Sequence, residues 1–374
     1  MSGASSRGGG SWLVRRSSYG ASRLRVRMLV FALTFPLVVN AAAAAQSDAR
    51  PPNPGLSSPA SETQGAFSFA LVGTGTEDLV ESEMLANLLR AVDASSAQFV
   101  VHFDAGNGKS ASCSDAALAS RKAALDASAK PVVPVAGAGD WSACAALRTD
   151  PIERLNRLRE LTFGANESLG QTRLQWVRQS AMPRYHRYNE NLRWQSGPIL
   201  FIAIDIPDNN NNFRFGAGRN GEFEERLVAN RIWLERAFRI AAERRMLGIV
   251  IAIDADPRFE TPLHPPDART RERDGYYEFK IALRDMSLRF SGQVLLVQGR
   301  APRAAALPLS DHPLRDPAGR ALFNFTRIAA FDANDTNRWF RLDVDPARAP
   351  LFRIVDERVF DDPTGELYGP GRVK

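Results

Sequence analysis

The chain of 374 residues is short of the side chains that most enzymes recruit, with two cysteines and four histidines. Cys113 and Cys144 show no CxxC spacing and have no histidine cluster beside them, which argues against a redox or metal-binding pair. No GxSxG elbow, P-loop or HExxH motif occurs, so serine hydrolase, NTPase and zincin chemistry lack their defining residues. Gly216-Ala217-Gly218-Arg219-Asn220-Gly221 matches GxGxxG. A dinucleotide site needs that loop directly after a strand, and here an asparagine run separates it from the apolar run ending at Ile206. His264 and His312 stand beside prolines in loop-like stretches and His186 lies between Tyr185 and Tyr188; each reads as a solvated histidine.

Acid is missing from the first 45 residues, which carry Arg7, Arg15, Arg16, Arg23, Arg25 and Arg27. An apolar run from Met28 to Val39 and the alanines Ala41 to Ala45 follow, the order of a secretory signal peptide cleaved before Gln46. The Arg15-Arg16 pair lacks the hydrophobic residues of a twin-arginine signal, and Pro36, Asn40 and the short apolar core disfavour a stable membrane span. The expected location is therefore periplasmic or secreted. The whole chain has 48 Lys and Arg against 42 Asp and Glu. Without the leader's arginines the two signs balance, which removes the case for a nucleic-acid or anionic-membrane partner. In an exported chain with one pair of cysteines, a Cys113–Cys144 disulfide is the expectation.

Residues 46–65 are rich in Pro, Ser and Ala and read as a disordered linker, leaving 66–374 as a single folded domain. Strand-like runs at Phe67–Val72, Phe99–His102, Val132–Val135, Ile199–Ile206, Gly248–Ile253 and Val294–Val297 alternate with helix-like segments, which predicts an α/β protein. Asp150-Pro151 with Glu153 predicts a capped helix start. Glu222–Arg245 predicts a helix with Phe223, Leu227, Leu234, Phe238 and Ala241 along one face. Past Pro302 the chain turns strand-rich, with Phe340, Leu342 and Val344 alternating with Arg341 and Asp343.

Four runs end in Gly73-Thr74, His102-Phe103-Asp104-Ala105, Ala136-Gly137-Ala138-Gly139-Asp140-Trp141 and Gln298-Gly299-Arg300-Ala301-Pro302. Strand ends of this kind present ligands to a crevice in open α/β sheets. Their order resembles the calcineurin-like metallophosphoesterases, in particular a bacterial secreted branch whose strand ends read roughly GD, GD, GDNEW or GNH, and GDTH or GHxH. The resemblance extends through Cys113-Ser114-Asp115, Asp150 to Leu155, Asn209 to Asn212, Arg226, Ala229-Asn230, Trp233-Leu234, Ala255-Asp256-Pro257 and Asn324 to Arg327. It covers most of the chain from about Phe67 to Phe352, and the branch also has cysteines at the positions of Cys113 and Cys144. It implies a two-sheet β-sandwich flanked by helices.

Against that pattern Thr74 stands in place of the first Asp, Ala105 of the bridging Asp, Gly139 of the Asn, Gln298 of a His, Arg300 of an Asp or His, and Pro302 of the last His. Two divalent cations about 3.5–4 Å apart repel unless carboxylates neutralise them, and these replacements remove the bridging and terminal donors. The chain thus reads as a scaffold with its metal chemistry removed and no cofactor. The candidate crevice residues are Thr74, His102, Asp104, Asn107, Asp140, Asn209, Asn210 and Arg300. Because side chains alternate along a strand, a buried, hydrogen-bonded role is the plain reading of His102. The resulting expectation is an exported, non-catalytic protein that binds a ligand or an envelope protein. The alternatives are a hydrolase of this family with unusual residues and a structural component of the envelope.

Overall fold

The apolar runs without polar alternation leave no strand face for water, and each becomes a strand covered on both sides. The computed structural model describes residues 65–74, 79–104, 113–215, 218, 220–261, 263, 273–302, 305–331 and 338–358. One sheet has five strands in the order β12-β11-β1-β2-β3: β1 is Phe67–Thr74, β2 Val100–Asp104, β3 Val132–Val135, β11 Arg338–Val344 and β12 Phe352–Arg358. The other has seven in the order β4-β5-β6-β7-β8-β10-β9: β4 is Val177–Arg178, β5 Leu192–Ser196, β6 Ile199–Ala203, β7 Gly248–Ile253, β8 Gln293–Gln298, β9 Leu309–Asp311 and β10 Phe325–Ala329. Both sheets are mixed. Strands β1, β2 and β3 run parallel, as do β6, β7, β8 and β10, and antiparallel strands flank each set.

The sheets face one another through a continuous apolar layer in which Phe69 and Phe99 of one sheet meet Phe201 of the other edge to face, with ring centroids 5.2 Å apart. The outer face of the five-stranded sheet is covered by helices α1 (Leu79–Asp93) and α2 (Asp115–Asp126), with Leu85, Leu88, Leu89 and Leu125 packed on Ala70, Val72 and Val100. The outer face of the seven-stranded sheet is covered by α5 (Gly221–Glu243) and α6 (Tyr277–Arg289), through Trp233, Leu234, Phe279 and Leu283. The layers are therefore helix, sheet, sheet, helix, the α/β arrangement expected from the alternation of elements.

The predicted helix starts are present with two differences. In α3 (Pro151–Leu161), Asp150 caps the helix by accepting from Ile152 N at 2.9 Å. Glu153 does not close a capping box; it pairs with Arg154 at 2.9 Å. On α5, Phe223, Leu234, Phe238 and Ala241 are buried as predicted, but Arg226 takes the innermost place while Leu227 is only half-buried. Arg226 can be buried because Glu222, Asn211 and the Asp205 carbonyl all accept from its guanidinium. Cys113 and Cys144 are joined, with their Cα atoms 5.7 Å apart and a sequence separation of 31, tying the start of α2 to the 3₁₀ segment Ser142–Leu147. Among the described residues no helix is long and apolar enough to cross a membrane. The expected leader and all but the last residue of the expected linker lie outside the described residues.

Candidate functional site

The parallel strands of the two sheets deliver their carboxyl ends to the same place, and an acid follows or terminates several of them. Asp104 is the last residue of β2 and is buried. Asp140 closes the 3₁₀ turn Ala138–Asp140 after β3, where its Oδ2 accepts from Gly137 N at 2.9 Å. Asp254 follows β7 directly and is fully buried, with Ala138 N donating to its Oδ2 at 3.0 Å. That bond links the two sheets through their strand ends.

Two guanidiniums supply the counter-charge. Arg121, on the inward side of α2, places NH1 3.4 Å from Asp104 Oδ2 and donates through NH2 to Asp140 Oδ1. Arg300, just beyond β8, holds Nε 3.6 Å from Asp254 Oδ2 and 3.8 Å from Asp208 Oδ2. Burial pushes the Asp140 carboxyl up to about 6 although Arg121 opposes the shift, and burial pushes Asp254 up to about 7 against Arg300. Burial would lower Arg121, but Asp140 and Asp104 together carry it above its ordinary value. The shared logic is that desolvation favours protonated acids, while the guanidiniums hold part of the cluster ionised.

Two glycines allow this approach. A Cβ on Gly139 would fall onto Asp104 Oδ2, and one on Gly137 would lie 2.7 Å from the Asp254 carboxyl carbon. Gly139 therefore stands at this strand end because the backbone must lie flush against Asp104. Position 139 has no room for a side chain unless Asp104 moves. Gln298, at the end of β8, turns its amide to the Arg300 carbonyl at 2.7 Å and so fixes the start of the segment carrying Arg300.

His102 is buried on β2, beside Pro134 of β3 and Val72 of β1. Burial, reinforced by Arg121, lowers its pKa to about 3, so it is a neutral imidazole at ordinary pH. His102, Asp104, Arg121 and Asp140 line a cavity of about 10 Å³, room for a single water. The backbone of Thr74 pairs with Asp104 at the end of β1; its side chain and all of Ala105 and Asn107 lie outside the described residues.

Asn209 and Asn210 belong to α4 (Asp208–Asn211), a single turn that is left-handed rather than right-handed. From Asn209 to Asn212 the φ values are 58°, 60°, 58° and 56°. Such backbone costs L-residues about 1–2 kcal/mol each, least for asparagine. Side-chain bonds hold it: Asn210 to Arg273 O and Gly275 N, Asn211 to Gly275 O and Arg226, and Asn212 to Glu222. Asn209 is exposed and Asn210 is spent on these backbone bonds. The turn's contribution to the cluster is to fix Asp208 beneath Arg300, helped by Tyr276, whose hydroxyl donates to Pro207 O at 3.2 Å.

A second buried polar network lies behind Trp141, whose indole donates to Asp205 Oδ1 at 3.3 Å and lies under the Arg226 guanidinium. Burial raises Asp205 well above the carboxylate range, and Arg226 opposes it. Next to it Arg159 grips Glu190 with two bonds of 2.7 and 2.6 Å. Sequence reasoning singled out neither Asp205 nor Asp254, although both stand just past buried parallel strands, and that placement was the available signal. Arg121 carried no local signal at all, since only the folding of α2 over β2 brings it to the acids.

A pair of bridged divalent cations does not suit this donor set. Positions 139 and 302 offer no side-chain donor, Asp104 and Asp140 share one guanidinium, and Asp254 and Asp208 share another. Among the described residues no three His, Cys, Asp or Glu side chains are grouped so as to hold a metal ion. No protein-family model matches the chain, and no curated protein matches it in sequence.

Proposed function

We propose that this is an exported, non-catalytic protein on a scaffold of the calcineurin-like metallophosphoesterase type, which binds a ligand or an envelope partner at the remodelled strand-end crevice. The observation that carries this reading is the pairing of Arg121 with Asp104 and Asp140, and of Arg300 with Asp254 and Asp208. A two-metal hydrolase uses its cations both to neutralise such carboxylates and to activate water. Guanidiniums can do the first and not the second, because they have no open coordination position and do not lower the pKa of water. The helix–sheet–sheet–helix layering supports the scaffold assignment, and the disulfide supports an oxidising compartment.

A second reading, a hydrolase with non-standard residues, is favoured by one specific observation. Asp140 and Asp254 are buried carboxyls held near 6 and 7, the range suited to proton transfer at neutral pH. Turnover of p-nitrophenyl phosphate and bis-p-nitrophenyl phosphate, with and without Mn²⁺ or Zn²⁺, separates the two. The first reading expects rates equal to buffer in every condition; metal-stimulated turnover that is lost in Asp254→Asn would replace it with the second.

A further inference from the structure

At the opposite ends of the same strands, where β7 begins at Gly248 and β8 at Gln293, lies an open groove of about 440 Å³. Its floor is apolar, formed by Met246, Phe290 and Leu351, each less than a tenth exposed. Three arginines from three separate segments line it: Arg245 just after α5, Arg289 at the end of α6, and Arg348 in the loop between β11 and β12. None of the described residues lining the groove is acidic, although Arg348 also holds Asp345 at its side, at 3.1 Å.

Cations near a helix C-terminus are commonly explained by the helix dipole, and that explanation covers Arg289. It does not cover Arg348, and for Arg245 it does not account for a residue other than glycine at that position. Arg348 belongs to no helix. Arg245 has φ 53°, the left-handed conformation that closes α5, with Arg245 N donating to Ala242 O at 3.1 Å and Met246 N to Ala241 O at 2.8 Å. Glycine is the residue that fits such a helix end without strain, and an arginine there keeps a strained backbone where its side chain lines the groove.

We infer that this groove is a binding site for a small amphiphilic anion, with a carboxylate or phosphate head on the arginines and a short aliphatic or aromatic body on the Met246–Phe290–Leu351 floor. Its volume is within the range of small-molecule sites, and guanidiniums are the side chains best suited to paired bonds with such heads. The inference is independent of the proposed crevice function, since the two sites share no residue and lie at opposite strand ends.

Isothermal titration calorimetry on the mature protein with octanoate and with phenyl phosphate tests it, with 1-octanol and inorganic phosphate as the body alone and the head alone. At least one of the two amphiphilic anions is expected to bind saturably at one per chain, about tenfold or more tighter than either half. Arg245→Gly is the informative variant because it relieves the left-handed strain; it is expected to raise the melting temperature while weakening binding, and adding Arg289→Gln is expected to bring the loss to about tenfold or more. Absence of saturable binding by both anions, or an affinity unchanged in Arg245→Gly/Arg289→Gln, would overturn the proposal.

Discussion

Arg121 bridges two buried acids that come from different strands, with Asp104 Oδ2 3.4 Å from its NH1 and Asp140 Oδ1 bonded to its NH2. The pair of carboxylates is tolerable only because that guanidinium is present. Replacing it with a neutral side chain of similar length, Arg121→Met, removes the guanidinium that both acids face. The expected loss is about 3–5 kcal/mol, the usual cost of breaking a buried ion pair from one side. The loss is expected to grow from pH 5 to pH 8, because Asp140, already held at about 6 by burial, loses the guanidinium that opposes that rise and holds its proton more tightly in the folded state. Urea unfolding at the two pH values measures this, and a pH-independent loss would show that Arg121 acts through packing alone.

Gly139 is expected to resist substitution for steric reasons. Gly139→Ala puts a methyl group onto Asp104 Oδ2, and the expected loss is about 1–3 kcal/mol. Gly139→Asn, which restores an amide to the position, is expected to lose more than the alanine variant and gain no metal affinity. An asparagine variant as stable as wild type would show that the backbone is free to retreat from Asp104.

The pH dependence of stability has two opposing parts. Asp254 is raised from an ordinary 3.8 to about 7, so its stabilising contribution is complete below 3.8 and lost as pH rises through 7. His102 is lowered from 6.5 to about 3, so its contribution is present above 6.5 and lost as pH falls through 3. Asp254→Asn is therefore expected to gain stability relative to wild type as pH rises from 3.8 to 7 and to level off above. His102→Gln is expected to be less sensitive than wild type to acid between 6.5 and 3. Chemical denaturation across that range reads both slopes, and parallel profiles for wild type and variants would contradict the burial argument.

The disulfide ties together the two segments that carry the Arg121–Asp140 pair, since α2 begins just after Cys113 and Asp140 lies just before Cys144. Thiol labelling of the unreduced, denatured protein should find almost no free thiol. The double variant Cys113→Ala/Cys144→Ala is expected to lose about 2–4 kcal/mol. Two free thiols per chain would remove the cross-link from the account.

How much of this was legible in the sequence depended on whether the signal was local. Buried parallel strands announce themselves as unbroken apolar runs, so Val132–Val135 and Gly248–Ile253 were found at their observed bounds. The Asp150-Pro151 helix start was also legible, because capping is decided within one turn. Arg226 broke the expected apolar face of α5, since its burial depends on Glu222, Asn211 and Asp205 converging on it from separate segments. The cluster was half visible for the same reason. Asp104, Asp140 and Arg300 stood at strand ends, whereas Arg121 reaches the site only through helix packing and Asp254 was passed over beside the more conspicuous Asp256-Pro257. In the sequence Arg300 reads only as a residue in place of a metal ligand; the fold sets Asp254 and Asp208 opposite it.

The central claim of the proposed function is that guanidiniums occupy the counter-ion role that divalent metals have in a two-metal hydrolase. Elemental analysis of the protein, purified without chelators and then dialysed against Mn²⁺ or Zn²⁺ and desalted, tests it most directly. The account expects well below one metal ion per chain, with no change in melting temperature on metal addition. Close to two ions per chain, bound with a clear rise in melting temperature, would contradict it.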